Sequence, residues 1–287
     1  PYIETIRAYS DAKIVLRAHN VEHLIWDRIA KKTKFPPKKW YLNHLVRTLK
    51  AYELNAINEV DGIAAITYRD AAFFRGETAV PVVDIPYGVK PEEFTPNYEI
   101  KAKPTLYHIG SMNWMPNEEG ILWFIKNVWE KLSAREPDIV LNLAGRHTPK
   151  WLMNLKKKNI NVLGEVPDAK EFIKDNDIAI VPLLSGSGIR IKIIEAMAMG
   201  KTVITTMVGA EGIQYSEYEN IIIADNPTKI VETICRIIKE PEELKRIGRN
   251  ARKLVEDIYD NKKIIERLLI FYDEIRKEKK DITYINH

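Results

Sequence analysis

Short runs of Ile and Val alternate with amphipathic stretches of helical length along nearly all of this 287-residue sequence. An apolar run of four to seven residues without polar alternation suits a strand buried on both faces. An amphipathic stretch between two such runs is long enough to cross over and lay the next strand parallel to the first. The pattern therefore predicts βα units and an α/β fold. Candidate strands are Lys13–Arg17, Gly62–Ile66, Val80–Ile85, Thr105–Ile109, Ile139–Leu143, Ile160–Leu163, Ile178–Val181, Thr202–Ile204 and Ile221–Ile223. The strongest helical stretches run Trp40–Glu59, Glu118–Leu132, Gly188–Met199, Pro227–Lys239, Pro241–Glu256 and Lys262–Lys277.

The best break is Pro86-Tyr87-Gly88-Val89-Lys90-Pro91-Glu92-Glu93-Phe94-Thr95-Pro96, dense in the two residues that punctuate regular structure. From Lys103 to Ile223 the chain supplies about six βα units, enough for a complete doubly wound domain. Before the break there are three strands. Such a layer leaves a sheet edge uncovered and lacks a first βα turn, so it reads as half of a Rossmann-like unit. The start at Pro1-Tyr2-Ile3-Glu4, without Met, agrees with the expectation that further strands precede it. The expected division is an incomplete N-terminal domain over 1–87, a linker over 88–102 and a complete domain over 103–259. In the last segment, 260–287, Ile264, Ile265, Leu268, Leu269, Phe271, Tyr272 and Ile275 lie on a broad apolar stripe that must pack on something sizeable.

Charge excludes little by itself: 44 Lys and Arg against 40 Asp and Glu leave a net +4. With no zinc-finger spacing and no aromatic RNA-binding strand, a nucleic-acid partner is not expected. Cys235 is the one thiol and cannot form an intramolecular disulfide, and no run of about 18 apolar residues could cross a bilayer. A cytoplasmic setting is expected. Lys31, Lys32, Lys34, Lys38 and Lys39, with no acid among them, precede Trp40 and Tyr41. Two readings stay open for this cluster, peripheral contact with the anionic inner face of a membrane and a solvated helical corner.

The segment from Val181 to Gly200 carries the chemistry. A buried strand ends in the loop Ser185-Gly186-Ser187-Gly188, and the loop opens a helix containing Arg190, Lys192 and Glu195. Free amides at a helix start, unobstructed where Gly removes the Cβ, suit a phosphate. Arg190 adds a forked donor and Lys192 a point charge, while the two oxygens of Glu195 suit the hydroxyl pair of a ribose. The bland alternative is a Gly-made turn with solvated cations and a carboxylate paired to a neighbour. Elsewhere, His19-Asn20-Val21-Glu22-His23 fits H-x-x-E-H, the zinc-binding arrangement of inverzincin peptidases. That reading needs His19 within a helix, yet Ile14-Val15-Leu16 before it reads as strand.

The loop-helix segment resembles the donor-binding core of the retaining glycosyltransferases of family 4, which have the GT-B fold of two Rossmann-like domains. Other motifs follow in order: Leu16-Arg-Ala-His-Asn-Val-Glu-His23, Ile85-Pro-Tyr-Gly-Val89, His108-Ile-Gly-Ser-Met-Asn-Trp-Met-Pro-Asn117, Leu143-Ala-Gly-Arg146, Gly164-Glu-Val-Pro-Asp168 and Met207-Val-Gly-Ala-Glu-Gly212. The resemblance covers nearly the whole chain. It implies transfer of a sugar from a UDP- or GDP-linked donor to a glycan or lipid-linked acceptor, with retention and without a metal or other cofactor. It also implies that the last helix crosses back to the N-terminal domain.

Residue by residue, Glu195 matches the second Glu of the family's E-x7-E motif, whereas the place of the first is held by Ser187. The Arg and Lys that the family places on the first βα loop are here Ser111 and Asn117, so Arg190 and Lys192 are expected to replace them across the same cleft. The resemblance assigns donor binding to Gly110, Ser111, Met112, Asn113, Arg146, Glu165, Val166, Ser185, Gly186, Ser187, Gly188, Ile189 and Glu195. Gly110, Ser111 and Met112 would offer amides to the phosphates, Glu165 and Val166 would meet the base, and Asn113 and Trp114 would line the sugar pocket. Catalytic roles fall to Arg190 and Lys192 and to His19, which follows strand Lys13–Arg17 at the end where open α/β sheets place their ligands; the alternative for His19 is a structural histidine at a strand end. A relative that binds a nucleotide sugar without turnover is the rival class.

Overall fold

The computed structural model describes residues 2–186 and 188–277, which divide into two compact units. The first comprises 2–87, 188–189 and 264–277, and the second 88–186 and 190–263.

In the first unit, α1 (Ile3–Tyr9), β1 (Val15–Ala18), α2 (Glu22–Lys32), α3 (Pro36–Ala56), β2 (Gly62–Ala65), α4 (Tyr68–Glu77) and β3 (Val82–Asp84) follow in order. The strands form a parallel sheet ordered β1-β2-β3, with Leu16 opposite Ile63 and Ile63 opposite Val82. Successive side chains of a strand point to opposite faces, so β2 serves two cores. Ile63 and Ala65 pack with Val21, Ile57 and Phe74, while Ala64 packs with Ile85, Ile264, Phe271 and Ile275. Helix α3 starts four residues before the expected Trp40 because Pro36 and Pro37 occupy its first turn, where a missing N–H costs nothing.

The second unit contains β4 (Thr105–Ile109), α5 (Met115–Phe124), a π-helical turn (Ile125–Trp129), α6 (Glu130–Arg135), β5 (Val140–Ala144), α7 (Lys150–Met153), β6 (Ile160–Gly164), α8 (Ala169–Lys174), β7 (Ile178–Val181), α9 (Ile191–Ala198), β8 (Thr202–Thr205), β9 (Ile222–Ile223), α10 (Pro227–Ile237) and α11 (Pro241–Ile258). Its sheet is all parallel and ordered β6-β5-β4-β7-β8-β9. Counted within the unit this is 3-2-1-4-5-6, the doubly wound order whose direction reverses between β4 and β7. Leu106, Leu141, Ile178 and Ile204 from four strands meet Phe124, Val128 and Trp129 in one core.

The expected continuous helix over Glu118–Leu132 is interrupted by the π turn, and it begins earlier, at Met115, with Pro116 in its first turn. The helix expected from Gly188 begins at Ile191. Gly188 has φ +80°, a left-handed conformation that a right-handed helix does not accommodate. Residues 88–102, expected as a linker, group with the second unit. The N–H of Val89 donates to Tyr259 O at 2.8 Å, and its carbonyl accepts from Asn261 N at 2.9 Å. The last helix, α12 (Asn261–Lys277), contributes its residues from Ile264 onward to the first unit.

Candidate functional site

Beyond the carboxyl ends of β4, β5 and β6, a cleft of about 410 Å³ lies against one face of α9. An open α/β sheet places its ligands in that position. Ile109, Gly110, Ser111, Gly145, Arg146, Glu165, Val166, Pro167, Ala169, Lys192 and Glu195 line it. Its floor is stitched by backbone bonds between successive βα loops. Gly110 N donates to Ala144 O at 3.1 Å, Met112 N to Arg146 O at 2.9 Å, and Gly145 N to Gly164 O at 2.7 Å. Gly145 runs so close to the Gly110 carbonyl that a side chain there has no room.

Lys192 enters the cleft from the first turn of α9. Its Nζ donates to Asn117 Oδ1 at 2.5 Å and lies 3.4 Å from His108 Nε2. Asn117 Nδ2 in turn donates to the Ser111 carbonyl at 2.7 Å, tying α9 to the loop after β4. Burial pushes the Lys192 amine down to about 7, helped by the nearby positive charge of Arg190 and opposed by Glu195. Burial raises the Glu195 carboxyl, with Lys170 and Lys192 pulling the other way. His108, 1% exposed, is held well below the usual imidazole range by burial and by the charge of Lys192. The site therefore pairs an amine and a carboxyl three residues apart on one helix, opposite a Gly-Ser turn.

Other expected residues lie apart from this lining. Arg190 is not among the residues lining this cleft: it occupies the N-cap position of α9 without a side-chain capping bond, is 4% exposed, and holds its guanidinium 5.4 Å from the Trp114 ring centroid. Burial lowers its affinity for a proton, and the charge of Glu211 opposes that. Lys192 alone supplies the expected replacement cation at the loop after β4. Met112 is a core residue at 1% exposure, and its N–H, like that of Gly110, is spent within the floor. Among the described residues, Ser111 is the member of that trio whose N–H has no acceptor. Asn113 is exposed and accepts from Ser111 Oγ at 2.7 Å.

Ser185 donates its hydroxyl to Glu119 Oε2 at 2.9 Å, and Ser185 and Gly186 are not among the residues lining this cleft. Gly186, at φ +112°, instead passes beside Arg190 and Trp114. Gly188 and Ile189 group with the first unit, and Ser187 lies outside the described residues. Arg146, Glu165, Val166 and Glu195 do line the cleft. His108 and Asn117, which hold Lys192, were not expected in that role. The signal for Asn117 was its position in the first turn of a helix after a strand-ending glycine, whereas nothing local marks His108.

In the first unit, His19 is exposed in the turn after β1, whereas His23 sits inside α2 at 3% exposure. The two therefore do not share a helical face, as the zinc-peptidase reading requires. His23 Nδ1 lies 2.5 Å from Glu53 Oε2. The same carboxylate accepts from the N–H of Glu22 at 3.0 Å and of His23 at 3.3 Å, capping an α2 whose own Val21 has no capping side chain. Among the described residues no cluster of three or more His, Cys, Asp or Glu side chains is placed to hold a metal. Nor is any helix among them long and apolar enough to cross a membrane.

Residues 103–240, just under half of the chain, match the family model for glycosyl transferases group 1. An uncharacterized 44.6 kDa protein from the cps region of Klebsiella pneumoniae is 29% identical over 164 residues, which is 54% of this chain and 42% of that protein. An uncharacterized glycosyltransferase of Methanocaldococcus jannaschii is 28% identical over 127 residues, 40% of this chain and 32% of that one. The matches thus span less than half the length of these curated relatives. Among solved structures, sucrose-phosphate synthase from Thermosynechococcus elongatus superposes with a TM-score of 0.69 at 16% identity, covering 96% of this chain and 71% of the other. A glycosyltransferase from Rickettsia africae gives 0.65 at 17% identity, with 96% and 79% covered. HepE of Anabaena, in complex with UDP and glucose, gives 0.64 at 13% identity, with 91% and 71% covered. At these identities the likeness is one of fold, the GT-B fold. The stretch from residue 103 to residue 240, which holds every residue lining the cleft, thus matches the glycosyl transferases group 1 family on an α/β fold shared with GT-B glycosyltransferases.

Proposed function

We propose that the cleft binds the diphosphate and ribose of a nucleoside-diphosphate sugar, and that the whole protein transfers the sugar to a glycan or lipid-linked acceptor with retention of configuration. The observation that carries this reading is the convergence of Lys192 and Glu195 on the Gly110-Ser111 turn within one cleft. The Lys192 ammonium and the Ser111 N–H face the diphosphate, Glu195 accepts from the ribose hydroxyls, and Glu165 and Val166 meet the base. As the sugar leaves, negative charge grows on the diphosphate, and a cation already held in place stabilises that charge without reorganising. The leaving diphosphate assists the incoming hydroxyl on the same face of the sugar. UDP-glucose is the first donor to try, because a neighbour of the same fold is described in complex with UDP and glucose.

Binding of UDP-glucose, UDP-N-acetylglucosamine and GDP-mannose tests the donor reading. Lys192→Ala is expected to weaken binding about tenfold or more, in line with loss of a charge-assisted hydrogen bond. Lys103→Ala, at an exposed lysine paired with Asp138, is expected to leave it unchanged; equal effects sink the reading. Transfer or hydrolysis of the bound sugar separates a transferase from a nucleotide-sugar binder without turnover. His19→Ala tests the catalytic role of His19, with a fall in kcat at unchanged donor affinity as the expected result.

The corner between α2 and α3 supports a peripheral membrane contact at the cytoplasmic face. Phe35, Trp40 and Tyr41 are exposed beside Lys32, Lys34, Lys38 and Lys39, while Lys31 is paired with Asp27. Flotation with phosphatidylglycerol vesicles, compared between the native chain and Trp40→Ala with Lys38→Ala, tests it.

A further inference from the structure

The surroundings of Lys192 specify the direction from which its amine can be protonated. His108 Nδ1 lies 2.8 Å from the Ile180 carbonyl, which can only accept, so the proton is on Nδ1 and Nε2 presents a lone pair. That lone pair and Asn117 Oδ1 are both acceptors facing Lys192 Nζ. A neutral amine has two N–H bonds and one lone pair. With its two N–H bonds given to His108 and Asn117, one tetrahedral direction is left for a ligand in the cleft that Lys192 lines. Among the described residues Lys192 makes no hydrogen bond to a carboxylate.

The charged groups around it are few. Arg190 on its own helix repels the ammonium, and Glu195 one turn further attracts it. Across the cleft stand Arg146 and Glu165, Lys170 acts on Glu195, and Glu211 acts on Arg190. From β4 the facing group is His108, from α5 it is Asn117, and the Trp114 ring centroid lies 6.0 Å away.

We propose that Lys192 takes up a proton from solvent when an anionic ligand enters the cleft, and that His108 is the positioning residue that, with Asn117, aims the amine at that ligand. The inference rests on the donor reading for the identity of the anion. The step balances simply: the amine lone pair binds a proton given up by buffer, and the new N–H points at a phosphate oxygen. The depressed amine described above supplies the neutral state from which uptake starts. Because binding and protonation are linked, donor affinity then falls roughly tenfold per pH unit above the midpoint of the empty site.

Calorimetric titration with UDP-glucose and with GDP-mannose at pH 8, in two buffers of different ionisation enthalpy, measures the proton directly. Neither diphosphate diester titrates near that pH. The expected result is uptake of on the order of one proton per site by the native protein and none by Lys192→Met. Separately, the Lys192 resonance in protein labelled at lysine Cε, assigned by its loss in Lys192→Met, reports the midpoint of the empty site. His108→Asn keeps a donor for the Ile180 carbonyl but loses the Nε2 acceptor. It is expected to lower that midpoint and to weaken donor binding several-fold at pH 8, whereas a merely structural role for His108 leaves both as in the native protein. A Lys192 midpoint in the ordinary lysine range, or equal proton uptake in Lys192→Met, overturns the proposal. Binding of a nucleotide sugar without proton uptake overturns it while leaving the donor reading intact. Failure of both nucleotide sugars to bind overturns the donor reading and the linked step with it.

Discussion

Gly145 passes against the carbonyl of Gly110 so closely that a Cβ at residue 145 would overlap it. The contact brings the loops after β4 and β5 together, and the bonds Gly110 N to Ala144 O and Met112 N to Arg146 O close the floor of the cleft. Gly145→Ala must push these loops apart. Backbone cannot yield as the end of a flexible side chain can, so one or both bonds are lost, at about 0.5–1.5 kcal/mol each plus the strain of the displaced loops. The expected outcome is a destabilisation of about 2 kcal/mol or more in urea unfolding, together with loss of nucleotide-sugar binding. An unchanged unfolding midpoint contradicts it.

Gly186 presents a milder case. At φ +112° it occupies a region that other residues adopt only with strain, and an added Cβ would stand 3.0 Å from Arg190 Nη2 and 3.3 Å from the Trp114 ring. Here the neighbours are side chains and can move. Gly186→Ala is expected to cost about 1–2 kcal/mol from backbone strain and to shift the fluorescence of the protein as the Arg190–Trp114 stack is displaced. The cleft residues lie elsewhere, so donor affinity should change less than in Gly145→Ala. A larger loss of affinity in Gly186→Ala would return Arg190 to the diphosphate site.

The strands were legible in the sequence because a parallel sheet covered on both faces demands continuous apolar runs, as at Ile178–Val181 and Thr202–Thr205, both fully buried. Helix starts were less legible. The apolar spacing around Gly188 extends backward past the true start of α9, and the left-handed φ of Gly188 follows from the loop's path, not from its letters. Lys192 and Glu195 were legible as a pair because three residues on a helix share a face. Arg190, two residues before Lys192, looked equivalent, yet Trp114 from a distant loop covers it. His108 was invisible as a functional residue because its role depends on β4 lying beside β7, which brings the Ile180 carbonyl to its ring. Asn117 read as an absent cation, whereas in the fold it is the acceptor that holds the cation supplied by α9.

Glu53 tests the reading of His23 as a structural residue. Its carboxylate holds the imidazole and two backbone amides at the start of α2, so Glu53→Ala leaves three donors without their acceptor. Loss of a helix cap costs about 0.5–2 kcal/mol, and an unpaired buried donor adds about 1–3 kcal/mol. A destabilisation of about 2 kcal/mol is expected in denaturant unfolding, with donor affinity at the cleft of the second unit unchanged. Adding zinc to the native protein is expected to leave its melting temperature where it was. A stoichiometric rise with zinc would revive His19 and His23 as ligands.

Lys192 also predicts how stability depends on pH. In the folded protein its amine is pushed down to about 7, while in the unfolded chain it returns to the ordinary lysine value of about 10.4. Between those values the unfolded chain binds more protons than the native one, so this residue makes stability rise with pH across that window. Below about 7 both states are protonated and the cost of the buried ammonium is borne in full. Above the unfolded value both are neutral and the cost is gone. Lys192→Met removes the charge at all pH values and leaves Asn117 Oδ1 and His108 Nε2 without their donor, a loss that does not vary with pH over this range. The variant's melting temperature relative to the native protein is therefore expected to be highest at pH 6–7 and to decline steadily toward pH 10. A difference that stays flat from pH 7 to pH 10 would place the Lys192 amine in solvent, and with it the ordinary lysine charge at neutral pH.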